Sequence, residues 1–250
     1  MWKGKIAMEI KKEKVSFTNG ELNISAYLCR PKQEGHYPGV IILQEIFGLN
    51  LHIREVTEKV AEEGYIALAP ALYQRQAPDF EAGYEEQDVA IGRKYKEQTK
   101  ASELLSDISQ AISFLKTSSQ CQQNNVGVLG FCFGGHVAYL AATLPEVKAT
   151  IIFYGAGIPT MTPGGGPPTL SRTKDIKGSI HCFFGAMDPL IPKNHVDKIQ
   201  EELKTNNVDF SVSLFPAGHG FFCNHRPDFD ESSAQLAWEK VKTFFKNKLS

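Results

Sequence analysis

An excess of charge of either sign is missing from this 250-residue sequence: 27 lysines and arginines stand against 28 aspartates and glutamates, a formal net charge of -1. That balance excludes the concentrated basic face of a nucleic-acid binder and leaves no general field to steer a highly charged partner. A run of about 18 apolar residues, enough to span a bilayer, is also missing. The opening Met1–Glu9 has no apolar stretch suited to a secretory signal. Cysteines number only five, an odd count, at Cys29, Cys121, Cys132, Cys182 and Cys223. No CxxC pair occurs, and no histidine stands beside a cysteine at zinc-site spacing, so neither a disulfide framework nor a metal site is expected. The expectation is a cytoplasmic chain with free thiols, no membrane or nucleic-acid partner, and a monomeric or small homo-oligomeric state.

What is present is an alternation of strands and helices. Lys14–Phe17 and Leu22–Leu28 flank Asn19-Gly20, a hairpin signal. Gly39–Leu43 is a β-branched run of the kind buried on both faces of a sheet. Residues 51–63 carry Ile53, Val56 and Val60 at helical spacing and stop at Gly64. Further strands are read at Tyr65–Ala69, Val126–Gly130, Thr150–Tyr154, Ile180–Phe184 and Phe210–Leu214. Helices are read at 101–116, 134–144, 193–205 and 230–247. Residues 78–98 show weak periodicity and suggest an irregular or short helical connection. This order predicts an α/β fold, a mostly parallel central sheet with helices on both faces. Residues 1–13 are expected to be an N-terminal extension and 14–250 one domain. The Gly/Pro patch Pro163–Pro168 is expected to be a flexible loop over the carboxyl end of the sheet.

The sharpest local signal lies between a strand and a helix, at Gly130-Phe131-Cys132-Phe133-Gly134-Gly135. A turn this tight strains its central residue and demands very small neighbours two positions away, as in the nucleophile turn of α/β-hydrolases. The central thiol then stands at a helix N-terminus, whose dipole favours a thiolate. The competing reading, a structural cysteine in a phosphate loop, lacks both the Walker lysine and the dinucleotide glycine spacing. A cysteine nucleophile needs a base, and the base an orienting acid. In this fold class the chain order is nucleophile, acid, histidine. Asp188, before Pro189, and His219, between Gly218 and Gly220, each follow a strand, where α/β sheets assemble their sites. Singly, Asp188 also reads as a helix cap and His219 as a loop residue. His136 is expected to point away from the turn. Leu43-Gln44-Glu45-Ile46-Phe47-Gly48 ends the first buried strand; the Ile46 and Phe133 amides are the candidate oxyanion hole. Glu45 is an unusual carboxylate for an apolar site, and a salt bridge to an arginine such as Arg54 is the plain alternative.

Together with Leu72–Pro78, these motifs resemble the dienelactone hydrolase (carboxymethylenebutenolidase) family over roughly residues 14–247. The resemblance implies an eight-stranded α/β-hydrolase with a Cys132–His219–Asp188 triad and no cofactor. It further implies that Glu45 contacts the cysteine and helps deprotonate it when a small lactone or ester binds, leading to an acyl-enzyme. The chain departs from the family pattern at Cys223, where a carboxylate-binding arginine is expected. Arg75, Arg93 and Arg226 are the candidate substitutes, because guanidinium groups hold carboxylates bidentately; each also reads as a surface charge. Thioester or general ester hydrolysis on the same fold is the alternative activity. A non-catalytic ligand binder would be expected to break the triad or its turn, and no such break is visible.

Overall fold

The computed structural model describes residues 7–249, so the first six residues of the expected extension lie outside the described residues. β1 (Ile10–Asn19) and β2 (Leu22–Pro31) form the hairpin, with Gly20 at φ +61° in a two-residue loop that favours a left-handed glycine. Residues 10–13, assigned in sequence to the extension, are paired: Ile10 faces Pro31 and Glu13 faces Leu28. Their lysines and glutamate hid the strand, and a cross-strand Arg30–Glu13 contact of 3.3 Å supports it.

The remaining strands are β3 (Tyr37–Leu43), β4 (Ile66–Pro70), β5 (Cys121–Phe131), β6 (Val147–Phe153), β7 (Ser179–Gly185) and β8 (Phe210–Phe215). They make one eight-stranded sheet in the order β1-β2-β4-β3-β5-β6-β7-β8. β2 is antiparallel to both its neighbours, and from β4 to β8 every pairing is parallel. Strands buried on both faces need apolar side chains throughout, as Val40, Ile41, Ile42 and Leu43 supply with no exposure.

Helices cover both faces. α1 (Leu51–Glu62) begins where the Asn50 side chain accepts from the Ile53 amide at 3.3 Å, and buries Ile53, Val56 and Val60. It meets α6 (Glu231–Leu249) through Lys59, which lies 4.4 Å from the Trp238 ring centroid. α3 (Ala101–Lys116) and α4 (Phe133–Ala141) pack together, while α5 (Lys193–Thr205) lies against β8. The weakly periodic 78–98 region, read as an irregular or short helical connection, contains a twelve-residue helix, α2 (Glu86–Glu97). Only Gly92 of α2 is buried, so no apolar stripe marks it. Its start is a capping box in which the Glu85 amide donates to Asp88 at 3.0 Å.

One consequence of the strand order positions the site. β4 and β5 lie on opposite sides of β3, which opens a crevice beyond the carboxyl ends of β3 and β5. In their pairing Leu43 faces Gly130, so Glu45 and Cys132, each two residues further on, leave the sheet side by side.

Candidate active site

Cys132 occupies the bend between β5 and α4 at φ 52°, ψ -114°, outside the ordinary backbone regions for a side-chain-bearing residue. The two glycines of the turn are sterically required. A Cβ on Gly130 would lie 2.0 Å from the Gly134 carbonyl oxygen, and one on Gly134 would lie 2.2 Å from that of Leu43. Partly exposed, Cys132 is the only cysteine of the five that is not buried.

Asp188, past β7, and His219, past β8, are both buried, and the His219 Nδ1 donates to Asp188 Oδ2 at 2.7 Å. The other Asp188 oxygen accepts from the Leu190 amide at 2.8 Å, fixing the carboxylate. His219 Nε2 is buried and has no hydrogen-bond partner among the described residues. Burial disfavours a charged imidazole, yet the Cys132 sulfur and the Asp188 carboxylate outweigh it and draw the His219 pKa up to about 10.

Glu45 is buried, 1% exposed, and its carboxylate accepts from Arg226 at 3.1 Å. Arg54 is not its partner: that guanidinium is occupied by Glu81 at 2.6 and 2.8 Å and by the Leu49 carbonyl at 2.7 Å. Burial raises the Glu45 pKa, with Arg226 and His219 offsetting only part of that effect. Arg226 also approaches Asp228 at 3.5 Å and lies 5.9 Å from the Phe47 ring centroid.

Of these groups Cys132, His219 and Arg226 line a cavity of about 140 Å³, and Glu45 and Asp188 do not. Ile46 and Phe133, the candidate oxyanion-hole residues, line it beside Cys132, as do Arg93 and Arg226. Phe133 opens α4, where the first amides have no partner within the helix. Arg75 is not among the lining residues; it is bound to Asp107 at 2.7 Å and approaches Glu103 at 3.8 Å, which ties it to α3. His136 lines the cavity wall rather than pointing away from the turn. Its ring is already committed, with Nδ1 2.9 Å from the Ala156 carbonyl and Nε2 2.7 Å from the Thr169 hydroxyl. Burial pushes its pKa down to about 4, so His219 is the one positioned as a base. The Gly/Pro loop does lie over the cavity: Met161 and Pro163 line it, and the Pro163 carbonyl accepts from the Ala101 amide at 2.8 Å.

Several residues escaped the sequence reading. α2 brings Val89 and Lys96 to the cavity along with Arg93. Tyr154, read as the end of a strand, lies just past β6 at φ 37°, with its ring centroid 5.1 Å from that of His219. Its buried hydroxyl has no partner among the described residues. Unlike the glycine-flanked Cys132, Tyr154 has no neighbouring sequence pattern that marks its positive φ.

A thiol on a strained strand-to-helix bend, beside a His–Asp pair on neighbouring strand ends, defines an α/β-hydrolase. The Dienelactone hydrolase family profile matches residues 24–249, and the chain belongs to that family. A Synechocystis protein named "Putative carboxymethylenebutenolidase" is 46% identical over 98% of this chain and 100% of its own length. An Escherichia coli K12 protein of the same name is 31% identical over 90% of this chain and 82% of its own. The crystal structure of a "Putative Dienelactone Hydrolase" from Klebsiella pneumoniae superposes with a TM-score of 0.87 at 27% identity, covering 95% of this chain and 99% of that one. The protein is therefore a hydrolase of the carboxylic ester class, and among the described residues no helix is long and apolar enough to cross a membrane.

Proposed function

We propose that the protein opens a small lactone or ester through a covalent intermediate on Cys132. The observation that carries this reading is the strained, glycine-flanked thiol presented at the head of α4 beside a buried His219–Asp188 pair. The Asp188 carboxylate holds the His219 ring in place to take the Cys132 proton as a general base. The Cys132 sulfur attacks the carbonyl carbon. The amides of Ile46 and Phe133 receive the developing oxyanion. As the C–O bond breaks, His219 gives its proton to the departing oxygen, which in a lactone remains tethered to the acyl group. Water then attacks the thioester with His219 as base, releasing the hydroxy acid and regenerating the thiol–imidazole pair.

The cavity is about the size of a single benzene-like ring, which favours a small substrate. Arg93 and Lys96 on its wall form no ion pair among the described residues, whereas Arg226 is committed to Glu45 and Asp228. A lactone carrying a carboxylate suits such a wall. The test compares a carboxylate-bearing dienelactone, p-nitrophenyl esters and acyl thioesters with native protein, Cys132→Ala and His219→Ala. Each variant is expected to lose at least about a thousandfold in kcat/KM on the lactone. Substrate-protected iodoacetamide labelling should place the reactive thiol at Cys132. Undiminished turnover in Cys132→Ala would reject the covalent route.

A further inference from the structure

Behind the cavity, on the α1 side of the β3 and β5 strand ends, three side chains from distant parts of the sequence converge. Glu45 follows β3, His52 sits in the first turn of α1, and Cys223 lies in the loop after His219. A carboxylate oxygen, an imidazole nitrogen and the thiol sulfur of these residues all lie within 4.8 Å of one another. All three residues are buried, with relative exposures of 1%, 3% and 0%. Glu45 Oε2 and His52 Nε2 are both without a hydrogen-bond partner among the described residues. Two orphaned polar atoms in one buried cluster cost stability unless something satisfies them.

We propose that Glu45, His52 and Cys223 form a binding site for one Zn²⁺-like divalent transition ion. One nitrogen, one sulfur and one carboxylate oxygen are the ligand set of a borderline-soft cation, with a fourth position for water. Tetrahedral zinc bonds of about 2.0–2.3 Å place ligand atoms roughly 3.3–3.6 Å apart, so these side chains must close by about an ångström. Ligation removes the Cys223 thiol proton to solvent and breaks that thiol's 3.2 Å hydrogen bond to the Tyr84 hydroxyl. The resulting thiolate and the Glu45 carboxylate together neutralise the ion's two charges. That neutrality limits repulsion from the nearby cations Arg226 and Lys59, which would oppose an uncompensated ion. His52 offers a buried ring nitrogen, Nε2, that has no hydrogen-bond partner among the described residues. His52 also borders a groove between α1 and α6, lined by Glu55, Phe222 and Trp238, which provides a route in.

The experiment uses full-length, chelator-stripped protein. Zn²⁺ is titrated in competition with a chromogenic chelator, and Co²⁺ is titrated separately while its thiolate charge-transfer absorption is followed. Native protein and Cys132→Ala are both expected to bind one equivalent per chain and to show the cobalt–thiolate band. Cys223→Ser, which retains a hydroxyl to meet Tyr84, should lose the band and bind Zn²⁺ at least tenfold more weakly. His52→Asn should weaken binding similarly, with circular dichroism confirming an unchanged fold. A band that survives Cys223→Ser but disappears in Cys132→Ala would move the ion to the active-site thiol and overturn the site, as would the absence of stoichiometric binding to native protein.

Discussion

Arg226 and Glu45 are the residues whose energies are most tightly bound together. The guanidinium is 15% exposed and the carboxylate 1%, at 3.1 Å, so water contributes little to either charge. Removing one member of such a pair costs more than the pair itself is worth, because the survivor is left charged and unsolvated. Arg226→Ala is expected to destabilise the fold by about 3 kcal/mol at pH 7.5, measured by urea unfolding. The Glu45 pKa is already raised by burial, and losing Arg226 raises it further. A carboxyl with a raised folded pKa is relieved by protonation, so the penalty must shrink as pH falls through that pKa. The same variant should lose much less stability at pH 5. An equal cost at both pH values would show that the loss is packing, not charge. Glu45 itself was legible as an oddity in sequence, since a carboxylate at the end of an apolar strand calls for a partner. Its partner was not, because Arg226 lies 181 positions away and only the fold joins them.

Among elements, the bend between β5 and α4 is the one that tolerates least change. Its sequence signature works because the demand is local: two residues either side of Cys132 the chain crosses itself, and only glycine fits. Gly134→Ala places a methyl 2.2 Å from the Leu43 carbonyl oxygen and 2.5 Å from that of Gln44. The backbone must shift to relieve it, dislodging Cys132 and the Phe133 amide together. The expected outcome is a loss of several kcal/mol in unfolding free energy and a hundredfold or greater loss of kcat/KM. A well-folded, fully active Gly134→Ala protein would refute this account of the turn. Most strands and the long helices were legible for similarly local reasons, in runs such as Val40–Leu43 or the Ile53, Val56, Val60 spacing. α2 was legible only as one of two alternatives, an irregular or a short helical connection, because a helix whose only buried residue is Gly92 has no apolar stripe to read. A Cβ at Gly92 would meet the Ile46 carbonyl oxygen at 2.4 Å, so this unmarked helix presses directly on the site. Nor could spacing reveal the convergence of Glu45, His52 and Cys223, which separate strands and loops bring together.

Across the whole molecule, acid stability is governed by three histidines that fold uncharged on different elements. His52 in α1 has its pKa pushed down to about 3 by burial, and His136 in α4 and His181 in β7 each to about 4. In the unfolded chain all three titrate near 6.5. A base with a depressed folded pKa leaves the unfolded state holding more protons, so stability is intact above about pH 6.5 and falls as pH drops toward those folded values. Each histidine contributes a slope that approaches about 1.4 kcal/mol per pH unit below its unfolded pKa, and the three together cost roughly 5 kcal/mol between pH 6.5 and 5. Glu45 and Asp107, whose pKa values burial raises, work the other way by accepting protons earlier when folded, which trims this loss near the lower end. His219, whose pKa the fold raises to about 10, gains stability as pH falls toward 6.5 and offsets the loss above that pH, so urea midpoints recorded at pH 7, 6 and 5 should fall most steeply between pH 6 and 5. His52→Asn and His136→Gln, each unable to titrate, should each remove about a third of that slope even where they lower stability at pH 7. A native protein equally stable at pH 7 and pH 5, or variants that keep the full slope, would show that these rings become charged without cost and are better solvated than their burial implies.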